Sequence, residues 1–481
     1  MSREHSSRNL ILFAGIVGMQ YLAAPVIYVG ITQASLLSAL GANATISNLP
    51  AASFFVMATL VALVAWAFPQ VRYLKRILVI CYTTAALTSG LTAVALTLPL
   101  SNELKIIAVI LQSGLTGATI PTAIAFIWEV LGRTTDTRQR GVALGLAYGL
   151  GPLLAAAGSL GSQLILAGSF EIGPYAWSTP HFESPHNFAL LFALETPAMV
   201  VAALLASRFR IPIPEHDVDR RPVSDVLDLM LGIAASVAAM VLTLYQGVGW
   251  SIVLMLLASV LFAIHFRDLL SVRLLLLVTI ATAIFYVGNV IPSNMNLYSE
   301  EVLGVDPQSA AGYQNLMRFS FKALAGLGLG WLLVRTNPRM GVLVTASLYV
   351  AALVWAVFAS GRWFLLAFGI FGAGELVGVY APNYMLSACR KSEMKRGQVL
   401  MNLLMGPVGQ LGVVFGWIAD VVGRSDVVAL GQTSQALGFQ LSFVVCAAVL
   451  LCGIVFTVVC LPAHPVPAER IEDSSDGSEV E

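Results

Sequence analysis

The sequence predicts an all-α integral membrane protein with fourteen transmembrane helices, built as two pseudo-symmetric six-helix bundles with two extra helices between them. Three observations carry this reading. Of 481 residues, 58% are hydrophobic and only 11% are charged, against about 25% charged in an ordinary soluble domain. The apolar residues gather into fourteen runs, each long enough for a span of roughly 20 residues. The basic residues are sorted to one side of those runs. Lys and Arg number 26 and Asp and Glu number 26, so there is no basic excess for nucleic acid. The wealth of Leu, Val and Ala excludes a disordered chain.

In chain order, six runs fall at about 9–37, 47–68, 76–99, 103–131, 141–169 and 187–209. The first is too long for the apolar region of a signal peptide and reads as a membrane helix. A polar stretch from Arg208 to Asp225 follows, then a pair of runs at about 226–245 and 248–267. Six more fall at about 273–299, 308–334, 340–360, 363–388, 397–422 and 436–461. None shows the alternation of a β-barrel. The expected units are an N-terminal bundle (1–210), a linker with the two extra helices (211–272), a C-terminal bundle (273–462) and an acidic, disordered tail (463–481). Below, helices are counted first to twelfth, leaving out the central pair.

With the N-terminus in the cytoplasm and helices alternating, 21 of the 26 basic residues fall on cytoplasmic segments. The outside keeps Lys105, Arg362 and Arg424, while Arg318 and Lys322 lie inside a span. This bias supports the even count and places both termini in the cytoplasm, with a bacterial inner membrane as the expected setting.

The halves repeat. Leu40-Gly41, Asn43, Arg72 and Arg76 match Leu303-Gly304, Asp306, Arg335 and Arg339 at one offset, 339 − 76 = 263. Gly114, Gly117 and Ala118 match Gly369, Gly372 and Ala373, and Gly151-Pro152 matches Gly406-Pro407, at an offset of 255. Parallel six-helix repeats are a secondary-transporter architecture.

This pattern resembles the major facilitator superfamily over nearly the whole chain. The family's loop signature, G-x-L-x-D-R-x-G-R-R/K, stands here as Gly330-Trp-Leu332-Leu-Val334-Arg335-Thr-Asn337-Pro338-Arg339, with Val in place of the Asp. The first copy keeps Arg72, Lys75 and Arg76. The resemblance implies that these loops gate alternating access, and the missing Asp implies a different lock. The fifth helix resembles the antiporter motif G-x-x-x-G-x-G-P-x-x-G-G, reading Gly145, Gly149, Gly151, Pro152, Ala155 and Ala156. Its physical role would be close packing at small residues and a bend at Pro152. The motif and the span count resemble the drug:proton exporter branch. That branch's charged first helix and its Arg on the fourth helix are absent, Ile110-Leu-Gln112 standing at the latter place. Gly416-Trp-Ile-Ala-Asp420-Val-Val-Gly423-Arg424 is similar to the loop signature but falls on the outer side, where it reads as a helix stop with a Gly C-cap.

Charge within a bilayer marks function unless it is paired. Arg318 and Lys322, four apart on the eighth helix, share a face, and Glu375 lies midway along the tenth. Two readings stay open: Glu375 neutralises one cation and leaves a net positive site for an anionic solute, or Glu375 carries the coupling proton. A permanently paired structural triad is the bland alternative. Glu195, next to Thr196-Pro197 on the sixth helix, reads as structural, and Glu129 pairs with Arg133 at i,i+4. Uncharged candidates for the path are Gln20, Tyr21 and Gln33 on the first helix, Gln112 on the fourth, Asn289 and Asn296 on the seventh and Asn383 on the tenth. Pro25, Pro121, Pro292 and Pro382 fall on the four helices that the family likeness expects to move.

The five cysteines lack metal spacing and read as core residues. His181 and His186 flank Glu183 in the loop 170–186 without a metal motif. Neither metal nor cofactor is expected. The leading expectation is a monomeric secondary active transporter of a small solute, favouring proton-coupled export, with uptake of an organic anion as the alternative. A membrane-embedded enzyme would need a His/Asp or paired-carboxylate constellation, which the sequence lacks. A sensor without transport is a third possibility.

Overall fold

Each apolar run coincides with helix in the computed structural model, which describes residues 3–28, 30–135, 139, 142–143, 145–172, 174–213, 222–390, 393–425 and 432–465. Arg138, Arg140, Arg220, Arg221, Lys391, Arg470 and the acidic residues of the tail lie outside the described residues. Among the described residues, eleven helices are long and apolar enough to cross a membrane. They are the second (Ala44–Ala67), third (Val71–Thr97), fourth (Asn102–Thr134), sixth (His186–Ser207), the central pair (Val223–Tyr245 and Val248–His265), the seventh (Arg273–Leu303), ninth (Pro338–Phe358), tenth (Gly361–Ala388), eleventh (Arg396–Gly423) and twelfth (Ser434–Cys460).

The other three runs are helical but broken, short or polar. The first is divided into Arg3–Leu22, Ala24–Ile27 and Ile31–Ala39. The fifth opens with a π-helical turn, Leu146–Leu150, before Gly151–Ala167. The eighth, Pro307–Arg335, is long but carries Gln314, Asn315, Arg318 and Lys322. The loop after the fifth helix contains an antiparallel hairpin, Ser169–Ile172 with Tyr175–Ser178. Phe170 of this hairpin stacks on Tyr313 at 5.3 Å.

Similar helix ends occur at the positions that the offset of 263 pairs. Gly41 and Gly304 both take left-handed backbone, φ 89° and 66°, at the far ends of the first and seventh helices. Such φ values favour Gly because it has no Cβ. Asn43 and Asp306, two residues on, are the N-caps of the second and eighth helices. Packing recurs too. A Cβ on Gly117 would run into the backbone of Phe54, and one on Gly372 into the backbone of Arg318. Glycine thus seats the fourth helix on the second and the tenth on the eighth.

The two sets of helices meet on the face opposite the Arg72 and Arg335 loops, called here the far face. Ser35 donates to Asn296 at 2.8 Å, and Asn48 donates to Asn294 at 2.7 Å. Gln163 of the fifth helix donates to the Ser309 carbonyl at 2.8 Å and accepts from the Tyr313 N–H at 3.0 Å. The Asp420 carboxylate accepts from the Ala44 N–H at 2.9 Å, from the Thr45 N–H at 2.8 Å and from the Thr45 hydroxyl. The far face is therefore closed. The eleventh helix does stop at Gly423, but without a left-handed cap, since the following Arg424 has φ −84°. Its Gly416 lies against the Ala44 carbonyl, and its Asp420 fills the open start of the second helix.

Candidate functional site

The charges that hydropathy left inside the bilayer come together. The tenth helix breaks between Gly374 and Val377, and Glu375 stands in the break. Arg318 grips its carboxylate with two bonds, Nε to Oε2 at 2.9 Å and Nη2 to Oε1 at 2.5 Å. Lys322, one turn along, donates to Oε2 at 3.4 Å. Gly372 makes this possible by letting the tenth helix touch the eighth at Arg318 itself.

Two cations face one carboxylate, so the cluster carries an excess positive charge. Arg318 is 7% exposed, and its Nη1 has no hydrogen-bond partner among the described residues. A buried guanidinium N–H without a protein acceptor is costly, and it can donate to an anion or a polar group. The Lys322 side chain is less enclosed, at 24% exposure. An aromatic run leads to the cluster from the other set of helices. Tyr21 lies 6.0 Å from Tyr28, Tyr28 lies 6.4 Å from Phe319, and the Arg318 guanidinium stands 5.4 Å over the Phe319 ring. Tyr349 donates to Asn289 close by on the seventh helix.

The remaining amide candidates mostly brace helices. Gln20 donates to the Tyr82 hydroxyl at 2.9 Å. Gln33 donates to the Val26 carbonyl at 2.5 Å and accepts from the Gly30 N–H, so it spans the break in its own helix. Asn296, its repeat partner, ties the first, seventh and eighth helices through Ser35 and Gln314. Gln112 bonds Thr116 and Ser89 within the N-terminal set. Asn383 is half-buried, and its carbonyl accepts from Ser387.

The gating candidates divide. Arg72 lies over the Tyr73 ring, and Lys75 and Arg76 are exposed. Arg335 is exposed and engaged. Arg339 donates to the Leu461 carbonyl at 2.7 Å and caps the end of the twelfth helix. Gly330 lies within the eighth helix, and its surroundings are outside the described residues. In the antiporter-like motif, a Cβ on Gly145 or Gly149 would meet open space, whereas Gly151 is overlain by the Tyr21 ring. Pro152 starts the straight part of the fifth helix, directly after the π-turn. Glu129 and Arg133 form the expected i,i+4 pair at 2.8 Å.

Three features escaped sequence reasoning: the Asp420 contact with the second helix, the Gln163 bridge to the eighth, and the isolation of Glu195. Each depends on partners from distant parts of the chain. The motif-like run around Asp420 was the one available signal.

The sequence model of the Major Facilitator Superfamily matches residues 11–416. No curated protein matches the chain in sequence. Among solved structures, a POT family transporter in complex with 5-aminolevulinic acid is similar at 14% identity and TM-score 0.66, covering 95% of this chain and 97% of its own. A nucleoside transporter, NupG, is similar at 10% identity and TM-score 0.61, covering 94% of this chain and 100% of its own. The likeness to these structures is one of fold. With the family model spanning most of the chain, the protein belongs to the Major Facilitator Superfamily.

Proposed function

We propose that this protein is a secondary active transporter that carries a small solute bearing an anionic group, bound at Arg318 and Lys322. The carrying observation is the excess cation at the break in the tenth helix, with a buried guanidinium N–H left without an acceptor. Discontinuous helices near the middle of the span are where transporters of this architecture hold solute. Glu375 is better suited to fixing Arg318 than to carrying a proton. Protonating it would leave two cations in the core without a counter-charge.

The proposed frame is fourteen spans, six in each half with the central pair as accessory, a monomer, and both termini in the cytoplasm of a bacterial cell. The halves rock about the site, and the closed far face corresponds to a state accessible from the basic side. The exporter reading leaned on the fifth-helix glycines, of which only Gly151 among the first three makes close contact. The geometry therefore gives more support to an anionic solute than to a drug:proton exchanger.

The test is thermal stabilisation of the purified protein by a panel of small organic anions and their uncharged analogues. Anionic members should raise the melting temperature of the wild type and lose that effect in Lys322→Ala. Equal stabilisation by charged and uncharged analogues would overturn the assignment.

A further inference from the structure

Among the described residues, one buried carboxyl side chain lies outside the proposed solute site. Glu195 is 3% exposed on the sixth helix, and neither carboxyl oxygen has a hydrogen-bond partner among the described residues. The Ser89 hydroxyl of the third helix faces it. Ser89 is itself fully buried and accepts from Gln112 Nε2 of the fourth helix at 3.5 Å. Gln112 also donates to Thr116 at 2.9 Å.

The surroundings supply no compensating charge. The sixth helix packs on the third, on the first with its short continuation Ala24–Ile27, and on the fifth. On the third, Lys75 and Arg76 are at the exposed basic end, Tyr82 is tied to Gln20, and Cys81 is buried one position before it. On the first, the charged residues are confined to its start, Arg3 to Arg8, and Tyr21 turns toward Tyr28 and Gly151. The fifth, from Gly151 to Ala167, contains no ionisable residue. His186 and Arg208 bound the sixth helix at its two ends.

A carboxylate enclosed this way, without a cation and with a single hydroxyl facing it, must be compensated by something small. A metal cation would need several oxygen ligands. Gln112 instead turns its NH2 toward Ser89 and Thr116, which is a poor cage for a cation. A proton needs only the carboxyl itself.

We propose that Glu195 is a proton-binding site, and that its charge state acts on the contact between the sixth helix and the third, where the Ser89 hydroxyl faces it. A neutral carboxyl needs no outside donor. An ionised one takes the Ser89 hydroxyl hydrogen, which leaves the Ser89 oxygen still accepting from Gln112, and it requires further donors that only water can bring, so the third–sixth contact loosens. Proton loss is thereby tied to movement of the sixth helix against the third. This assignment rests on the transporter reading for its use, since it places the coupling proton in the N-terminal half while the solute binds in the C-terminal half.

The test does not require transport. Wild type, Glu195→Gln and Glu375→Gln are reconstituted in phosphatidylcholine vesicles, and infrared difference spectra are taken between mildly acidic and mildly alkaline buffer. The expected result is a protonated-carboxyl C=O band that disappears in alkali, is absent from Glu195→Gln and is retained in Glu375→Gln. Ser89→Ala, which keeps the carboxyl, should move the frequency of that band, and it serves if Glu195→Gln fails to fold. A band of wild-type amplitude in Glu195→Gln, a Glu195 band unchanged by pH, a frequency unmoved by Ser89→Ala, or loss of the band on adding sodium at constant pH would each overturn the proposal. If the anion panel fails while the band behaves as expected, the solute reading falls and the proton site stands.

Discussion

Asp420→Asn should release the far face. The carboxylate meets the first N–H groups of the second helix, from Ala44 and Thr45, as well as the Thr45 hydroxyl. It joins the start of the second helix to the eleventh across the far face, so its loss acts on the position of these two helices more than on the packing within each. Hydrogen bonds to a charged group are worth about 1.5–3 kcal/mol each, and a charge at a helix start adds about 0.3–1 kcal/mol. Asn keeps one acceptor and brings an NH2 against the N–H donors. Asp420 is half-buried, and water replaces part of what is lost once the face opens. A net loss of about 2 kcal/mol is therefore the working figure, or about a thirtyfold shift toward the open state. Spin labels at Glu103 and Arg424, both exposed, report this by electron–electron distance measurement in vesicles. The longer-distance population should grow in Asp420→Asn and grow less in Thr45→Val. Superimposable distance distributions in all three proteins would refute the latch.

Three further outcomes follow from contacts already described. Glu375→Gln should lower the melting temperature sharply, because it strands buried Arg318 at a cost of about 3–5 kcal/mol, whereas Arg318→Phe with Lys322→Thr and Glu375→Ile should recover most of the loss while abolishing stabilisation by anions. Gly372→Val should separate the tenth helix from Arg318, costing about 1–3 kcal/mol and removing anion stabilisation in melting assays; Gly378→Val, which meets open space, should do neither. Asp268 and Arg396 tie the end of the central pair to the start of the eleventh helix, so Asp268→Asn should speed hydrogen exchange in the central pair. The hydrogen bond from Arg396 holds the Asp268 carboxyl below its ordinary value of 3.8. This tie is thus complete above 3.8 and is lost only as pH falls through the lower folded value, so mildly acidic buffer should leave the exchange unchanged.

Much of this was readable because a bilayer makes apolar runs long and charges rare. The runs fall on helices, and the i,i+4 spacing of Arg318 and Lys322, with Glu375 midway along the tenth helix, puts the three charges where they can meet, as they do. The amides were less readable. Whether Gln33 reaches a ligand or its own backbone depends on the first run being divided into Ala24–Ile27 and Ile31–Ala39, which the residue string does not announce. Gly145, Gly149 and Gly151 look alike in a motif, yet only Gly151 is overlain by a ring. Asp420 bonds a residue 376 positions away, a distance at which neither periodicity nor local capping rules carry information.

The repeat also bears on whether the central charges serve the fold. At the offset of 263, Arg318 and Lys322 correspond to Phe55 and Thr59, and at the offset of 255 Glu375 corresponds to Ile120. In the N-terminal copy the same glycine contact, Gly117 on Phe54, closes the fourth helix onto the second without any charge. Phe55 and Thr59 there pack against Gly409 and Gly406 of the eleventh helix, as ordinary apolar and small residues do. The architecture therefore closes equally well without an ion triad at these positions. Three charges in the C-terminal copy carry a desolvation cost that its sister avoids. A structural triad would have to explain why one half needs what the other lacks. The proposed solute-binding role accounts for the difference: one copy keeps the apolar packing, and the other carries the two cations, one carboxylate and an Arg318 Nη1 that can donate to an anion.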